Sequence, residues 1–290
     1  MKVDKFRTVI IYIIIILLGL VCLLPLLNIV AISFSSSAAV EGNMVGLPVG
    51  FSTAAYEKIL EDSQFWHSFL ISVERVVLTL IINFVLIVLM AYPLSKTNAQ
   101  FRGRNIYANL MIFAMLFNGG MIPTFLLVKS YGLLNTVWAL VLPGAVPIFN
   151  VILVMNFFAA VPKELEEAAF IDGANPLQVL TKIFIPISKP VLATVSLFSI
   201  VGSWNDFYSG LIYMSKAAYY PLMTYIQSLQ INVEDLIKQG NLSAVVDSAS
   251  LGNTNLNAAK IVVAVIPLLL IYPLLQRYFV SGIVVGSVKG

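Results

Sequence analysis

One cysteine, one histidine and few charges leave little room for side-chain chemistry in this chain of 290 residues. Cys22 stands alone inside an apolar run, so neither a disulfide framework nor a thiolate metal spacing can form within the chain. His67 is the single histidine, which removes zinc sites and Cys/His nucleophiles from consideration. No glycine-rich loop ending in Gly-Lys-Ser or Gly-Lys-Thr occurs, so the chain has no phosphate cradle for hydrolysing ATP itself. Charged residues make up 11%, well under the roughly 25% of ordinary soluble domains.

What fills the chain instead is apolar. Hydrophobic residues make up 59% and the mean hydropathy is +0.93. Runs of roughly 20 apolar residues cross a hydrocarbon core about 30 Å thick. Six such runs are expected as spans of an all-α, polytopic membrane protein, at 9–34, 69–94, 106–128, 136–160, 190–213 and 259–280. The basic start at Lys2, Lys5 and Arg7 and the small residues Ser37-Ala38-Ala39 resemble a signal peptide. The apolar run between them is too long for one, and five more follow.

Six spans place both termini on one side. That side carries Lys2, Lys5, Arg7, Lys96, Arg102, Arg104, Lys163, Lys182, Lys189, Arg277 and Lys289, eleven of the 17 basic residues. The other carries the remaining six, Lys58, Arg75, Lys129, Lys216, Lys238 and Lys260. The positive-inside rule then expects both termini, and the loop 161–189, in the cytoplasm. The net charge of +3 follows from this bias and is no sign of nucleic-acid binding. Glu74, Arg75, Lys129 and Lys260 read as interfacial anchors. On the outer side, 35–68 contains an amphipathic stretch from Ala54 to Phe65, and 214–258 a second from Tyr225 to Ile237 followed by a polar tract from Gly240 to Asn257. So long a connection is expected to hold some ordered structure.

The loop 161–189 is unlike a simple connection between spans. Pro162 suits a first helical turn, and Glu164, Glu166 and Glu167 crowd the positive end of that helix. Ala168 and Ala169 are small enough for another surface to approach. Gly173 supplies the positive φ of a sharp stop. Asn175 and Pro176 restart a helix as cap and first residue. Leu177, Leu180, Phe184 and Ile187 give that second helix an apolar face, with Pro186 and Pro190 ending it at the membrane. A hairpin lying on lipid is the plainer reading, but an acidic helix is disfavoured against the negative inner leaflet. A docking surface for another protein fits better.

Glu167-Ala168-Ala169, Asp172-Gly173-Ala174 and then Phe184-Ile185-Pro186 resemble the EAA loop of binding-protein-dependent ABC importer permeases. Gly132-Leu133-Leu134-Asn135-Thr136, Ala139, Leu142-Pro143 and Trp204-Asn205-Asp206-Phe207 resemble the smaller permease subunit of maltose-type carbohydrate importers. Asn118-Gly119-Gly120-Met121-Ile122-Pro123 and the long outer loop resemble a subgroup tied to oligosaccharides. The similarity runs from about residue 5 to 290; the departure is the length of 214–258, which maltose-type subunits lack. The resemblance implies the type I ABC importer permease fold as a single transmembrane domain in the bacterial cytoplasmic (inner) membrane. It implies a coupling helix inserted into an ATPase cleft, with Glu167, Ala168, Ala169, Asp172, Gly173, Ala174 and Pro186 as coupling residues. It further implies a second homologous permease subunit, two cytoplasmic ATPase subunits that bind the ATP, an extracytoplasmic sugar-binding protein, and no cofactor of the chain's own.

Asp206 is the one acidic residue well inside an expected span. At about 1.5 Å per residue it lies roughly 24 Å beyond Pro190, in the outer half. A carboxylate at that depth faces a cavity or a partner. With Trp204, Asn205 and Tyr208 beside it, and with Asn118, it is a candidate for the substrate path; a polar contact between helices is the alternative. Asn83, Asn150 and Asn156 are weaker candidates of the same kind. An ion-coupled carrier or a membrane-embedded enzyme needs more intramembrane ionisable groups, or a catalytic cluster, and the sequence offers neither.

Overall fold

A computed structural model describes residues 5–36, 46–117, 119–229 and 254–286, and among these every regular element is helical. In chain order they are α1 (Lys5–Ser33), α2 (Ala54–Glu61), α3 (Ser63–Leu94), α4 (Arg104–Leu116), α5 (Met121–Ser130), α6 (Val137–Val141) and α7 (Ile148–Ala159). Next come α8 (Lys163–Ile171), α9 (Pro176–Ile187), α10 (Lys189–Asn205), α11 (Tyr208–Tyr213), α12 (222–229) and α13 (Thr254–Gly286). Asn118 and residues 230–253, which hold most of the expected polar tract, lie outside the described residues.

Among the described residues three helices are long and apolar enough to span alone, and up to six spans result if each sharply bent pair counts as one. The six expected spans are not all continuous helices, and the interruptions fall in the middle of the chain. Span three is two helices, α4 and α5, meeting at 110° across the Gly119-Gly120 pair, where Gly120 has φ +93°. Span four bends by 47° between 137–144 and α7, where Pro143, Gly144 and Pro147 deny the helix its donors and its stiffness. The third bent pair is α9 with α10, at 83°, and span five ends its helix after Asn205, because Asp206 turns extended at φ −75° and ψ 99° before α11 begins. By contrast Pro93 lies inside α3, and Pro267 and Pro273 inside α13, without ending either helix.

The chain falls into two compact units, residues 1–66 with 225–267, and residues 67–224 with 268–290. In the first, α1 is apolar on every side and its side chains from Ile11 to Leu27 are exposed, so lipid or another protein must replace water around it. Phe34, just past its end, stacks on Phe51 and Tyr56 at 5.6 and 4.8 Å. The amphipathic α2 buries Ala55 and Ile59, as its pattern requires. Between α2 and α3, Asp62 caps the Phe65 N–H at 3.0 Å and accepts from Tyr225 Oη at 2.9 Å and Lys260 Nζ at 2.7 Å. Burial alone would raise the Asp62 carboxyl, but the bonds from Lys260, the Phe65 amide and Tyr225 hold it below its ordinary value. Lys260 is therefore a buried ion-pair partner, 4% exposed, and not an interfacial anchor.

In the second unit, α3, α7, α9 and α10 share one core. Ile87, Val88 and Ala91 meet Val151, Val154 and Phe158, together with Val179, Leu180, Phe184 and Val195. Tyr92 and Phe158 approach Phe184 edge-on at 5.1 and 5.4 Å. A second cluster joins Val128, Ala139, Leu140, Tyr213 and Met214. Gly210 allows Thr224 so close that any β-carbon would collide with it.

Candidate functional site

The 161–189 segment folds as two short helices joined by a turn whose bonds are all local. α8 begins at Lys163, so Pro162 occupies the cap position, just before the first turn in which it was expected. It ends in a Schellman arrangement: Ala174 N–H reaches Ala169 C=O at 2.9 Å, and Gly173 N–H reaches Phe170 C=O at 3.1 Å. That closure requires the left-handed φ of +79° that Gly173 adopts. α9 then opens with a reciprocal cap. Gln178 N–H donates to Asn175 Oδ1, and Asn175 N–H donates to Gln178 Oε1, both at 2.9 Å. Over Leu180–Phe184 the helix widens into a π turn, and Pro186 lies in its last turn instead of ending it.

The apolar face expected on α9 is half right. Leu180 and Phe184 are buried, whereas Leu177 and Ile187 face outward. Glu167, Ala168, Asp172 and Gly173 are exposed, while Ala169 and Ala174 lean against the core. Ile171 is 86% exposed, and Leu165, Phe170 and Leu177 surround the same turn as further uncovered apolar side chains. The outer surface of the turn is thus a mixed acidic and apolar ledge.

What holds the ledge to the bundle is a residue pair that spacing did not single out. Glu166 turns inward and pairs with Lys96, just beyond the end of α3, at 2.7 Å. The Lys96 ammonium also sits over the rings of Tyr92 and Phe184, at 4.1 and 4.2 Å. One cation therefore ties α3, α8 and α9 together. Burial pulls the Lys96 ammonium below its ordinary value, and Glu166 opposes that shift. Its four-residue spacing from Tyr92 was visible in the sequence; its partner 70 residues on was not.

The second constellation surrounds the break after α10. Arg75 of α3 pairs with the Asp206 carboxylate, donates from Nη1 to the Asp206 carbonyl at 2.8 Å, and reaches toward the Leu140 carbonyl at 3.4 Å. Asp206 also accepts from Ser209 N–H at 3.1 Å and from Ser209 Oγ at 2.6 Å, closing the turn into α11. Arg75 is 3% exposed, which overturns its reading as an interfacial anchor; Glu74 and Lys129 remain exposed. The other path candidates do not gather around Asp206. Trp204 is buried with its ring edge-on to Phe69 at 5.6 Å. Asn205 and Tyr208 are exposed, Tyr208 Oη lying 3.8 Å from Met121 Sδ. Asn83 and Asn150, weaker candidates by sequence, are buried and line the same cavity as Asp206, while Asn156 is exposed.

Comparison with known proteins bears on this architecture directly. The family described as "Binding-protein-dependent transport system inner membrane component" matches residues 80–285. Protein LplC of Bacillus subtilis is 40% identical over 94% of this chain and 91% of its own length. The polygalacturonan/rhamnogalacturonan transport system permease protein YtcP of the same organism is 39% identical over 99% of both. A crystal structure of a bacterial ABC transporter involved in the import of the acidic polysaccharide alginate contains a chain that superposes with a TM-score of 0.82. That chain is 33% identical, and the match covers 96% of this chain and 98% of that one. With the broken spans, the turn at Gly173 and near full-length similarity agreeing, the chain belongs to the binding-protein-dependent inner-membrane components, the permease subunits of ABC importers.

Proposed function

We propose that this permease subunit carries an oligosaccharide into the cytoplasm, driven by ATP that separate subunits hydrolyse. The two helical units act as one transmembrane domain, with both termini and the α8–α9 turn in the cytoplasm. The subunit pairs with a second homologous permease, two cytoplasmic ATPase subunits and an extracytoplasmic sugar-binding protein, and lipid surrounds the assembly. It needs no cofactor of its own. The observation that carries this reading is the ledge around Gly173: exposed Glu167, Ala168 and Asp172 beside uncovered Ile171 and Leu177, on a turn closed by its own hydrogen bonds. An acidic and apolar surface on a rigid turn suits insertion into a protein cleft. The carbohydrate class is supported by the relatives that transport polygalacturonan or alginate.

In this reading ATP draws the ATPases together, the α8–α9 ledges move with them, and Lys96 passes the movement into α3. The test is uptake of labelled galacturonan oligosaccharides and of maltotriose into proteoliposomes holding the whole complex. ATP-dependent entry of a saccharide is expected, and no entry of either class counts against the reading. A charge exchange tests the role of Lys96. Lys96→Glu and Glu166→Lys each leave two like charges facing one another in a nearly buried site, and each is expected to cut uptake by about tenfold or more. Together they are expected to recover to within about threefold of wild type. Additive losses in the double variant would remove the pair from the transmission path.

A further inference from the structure

Within residues 67–224 a cavity of about 250 Å³ opens between α3, the bent α6–α7 segment and α10. Arg75, Thr79 and Asn83 stand on its α3 wall, four residues apart and so on one helix face. Asn150 of α7 and Ser203 of α10 also line it. Three atoms on the α3 wall are buried without a hydrogen-bond partner: Arg75 Nε, Thr79 Oγ1 and Asn83 Oδ1. Such atoms are rare in folded proteins, and three in one row around one cavity call for a guest. Arg75 and Asn83 are each held by their neighbours. Arg75 is held through its other nitrogens by Asp206 and Leu140, and Asn83 Nδ2 donates to Ser199 Oγ at 3.2 Å.

The order of the three atoms states what the guest offers. Arg75 Nε only donates, Thr79 Oγ1 does either, and Asn83 Oδ1 only accepts. A cation wants acceptors alone and an anion wants donors alone, and the Arg75 charge is already met by Asp206. Water can answer each atom singly, whereas neighbouring hydroxyl groups, which both donate and accept, answer all three from one molecule. The volume falls just below the roughly 300–1,000 Å³ of sites for drug-sized ligands, which suits one ring and not a chain of them. Gly144 and Gly202 also line the cavity, and a β-carbon at either meets nothing within 4 Å, so the backbone leaves the space open.

We infer that this cavity is a subsite for the hydroxyl edge of a single sugar ring, read by Arg75 Nε, Thr79 and Asn83. The inference rests on the carbohydrate reading above and places one sugar contact inside this subunit's own helix bundle. It is tested by cysteine protection. In a Cys22→Ser background, Ser203→Cys in the complete complex is treated with a small methanethiosulfonate, with and without galacturonan oligosaccharide or maltotriose and ATP. The imported saccharide is expected to slow modification about fivefold or more. Thr79→Val and Asn83→Leu are each expected to abolish that protection, and Thr79→Ser, which keeps the hydroxyl, to retain it. Import by the native-Ser203 complex without protection, or protection indifferent to Thr79→Val and Asn83→Leu, overturns the subsite alone. Failure of that complex to import any saccharide overturns the carbohydrate reading and the subsite with it.

Discussion

Gly173→Val is expected to leave a permease that inserts and assembles but no longer retains its ATPase or drives uptake. The argument is conformational. Gly173 holds φ +79°, and a left-handed backbone costs an ordinary residue roughly 1–2 kcal/mol, more when it is β-branched. No atom lies within 4 Å of where the new β-carbon would stand, so the β-carbon meets no obstruction and the expected effect comes from the backbone. Relief of that strain opens the Gly173 and Ala174 bonds back to α8 and swings the acidic face of α8 away from α9. Asn tolerates the left-handed region, so Gly173→Asn is expected to keep most activity. Co-purification of the ATPase with each variant complex, alongside uptake in proteoliposomes, distinguishes the outcomes. Full retention and full transport by the valine variant would mean that the turn does not set the docking surface.

Asp206→Leu is expected to cost the fold more than any substitution of an exposed residue in the α8–α9 turn. It leaves the Arg75 guanidinium buried with its charge unmet, and breaking such a pair costs about 3–5 kcal/mol. The lower end applies here because the Asp206 side chain is 29% exposed. About 3 kcal/mol corresponds to a shift of roughly 150-fold in a folding equilibrium. Asp206→Asn keeps an oxygen for the Ser209 amide and separates loss of the turn from loss of the charge. Arg75→Leu combined with Asp206→Leu removes both charges and is expected to recover much of the loss, since apolar replacement of a buried pair is often neutral. Thermal aggregation of the detergent-solubilised complex reads the series. Equal instability of the single and double leucine variants would show that the packing of Asp206, not its charge, matters.

Local pattern made much of this chain readable. The apolar runs gave the long and bent helices, and the Gly173 stop and the Asn175-Pro176 restart were legible because each acts on its own backbone within a few residues. Arg75 and Lys260 were misread because a basic residue near a span end looks the same whether it meets headgroups or a buried carboxylate. The partner of Arg75 lies 131 residues away and that of Lys260 lies 198 away, and no local periodicity links such positions. The breaks in spans three to five were partly visible as Gly119-Gly120, Pro143 and Pro147. The break at Asp206 was not, since it depends on Arg75 and Ser209 drawing the carboxylate out of the helical path. The Arg75-Thr79-Asn83 row was open to inspection at four-residue spacing, yet only the burial of its atoms shows that they lack partners.

The closed turn between α8 and α9 also bears on kinetics. Its amides are already answered by Ala169, Phe170, Asn175 and Gln178, so a partner meets a shape that exists before encounter. Ordering the backbone of a floppy loop on contact would cost about 1–2 kcal/mol for each residue fixed. Here most of that loss is taken when the subunit folds, and under the proposed docking the ATPase would associate at a rate set by diffusion and orientation, with no loop-folding step in between.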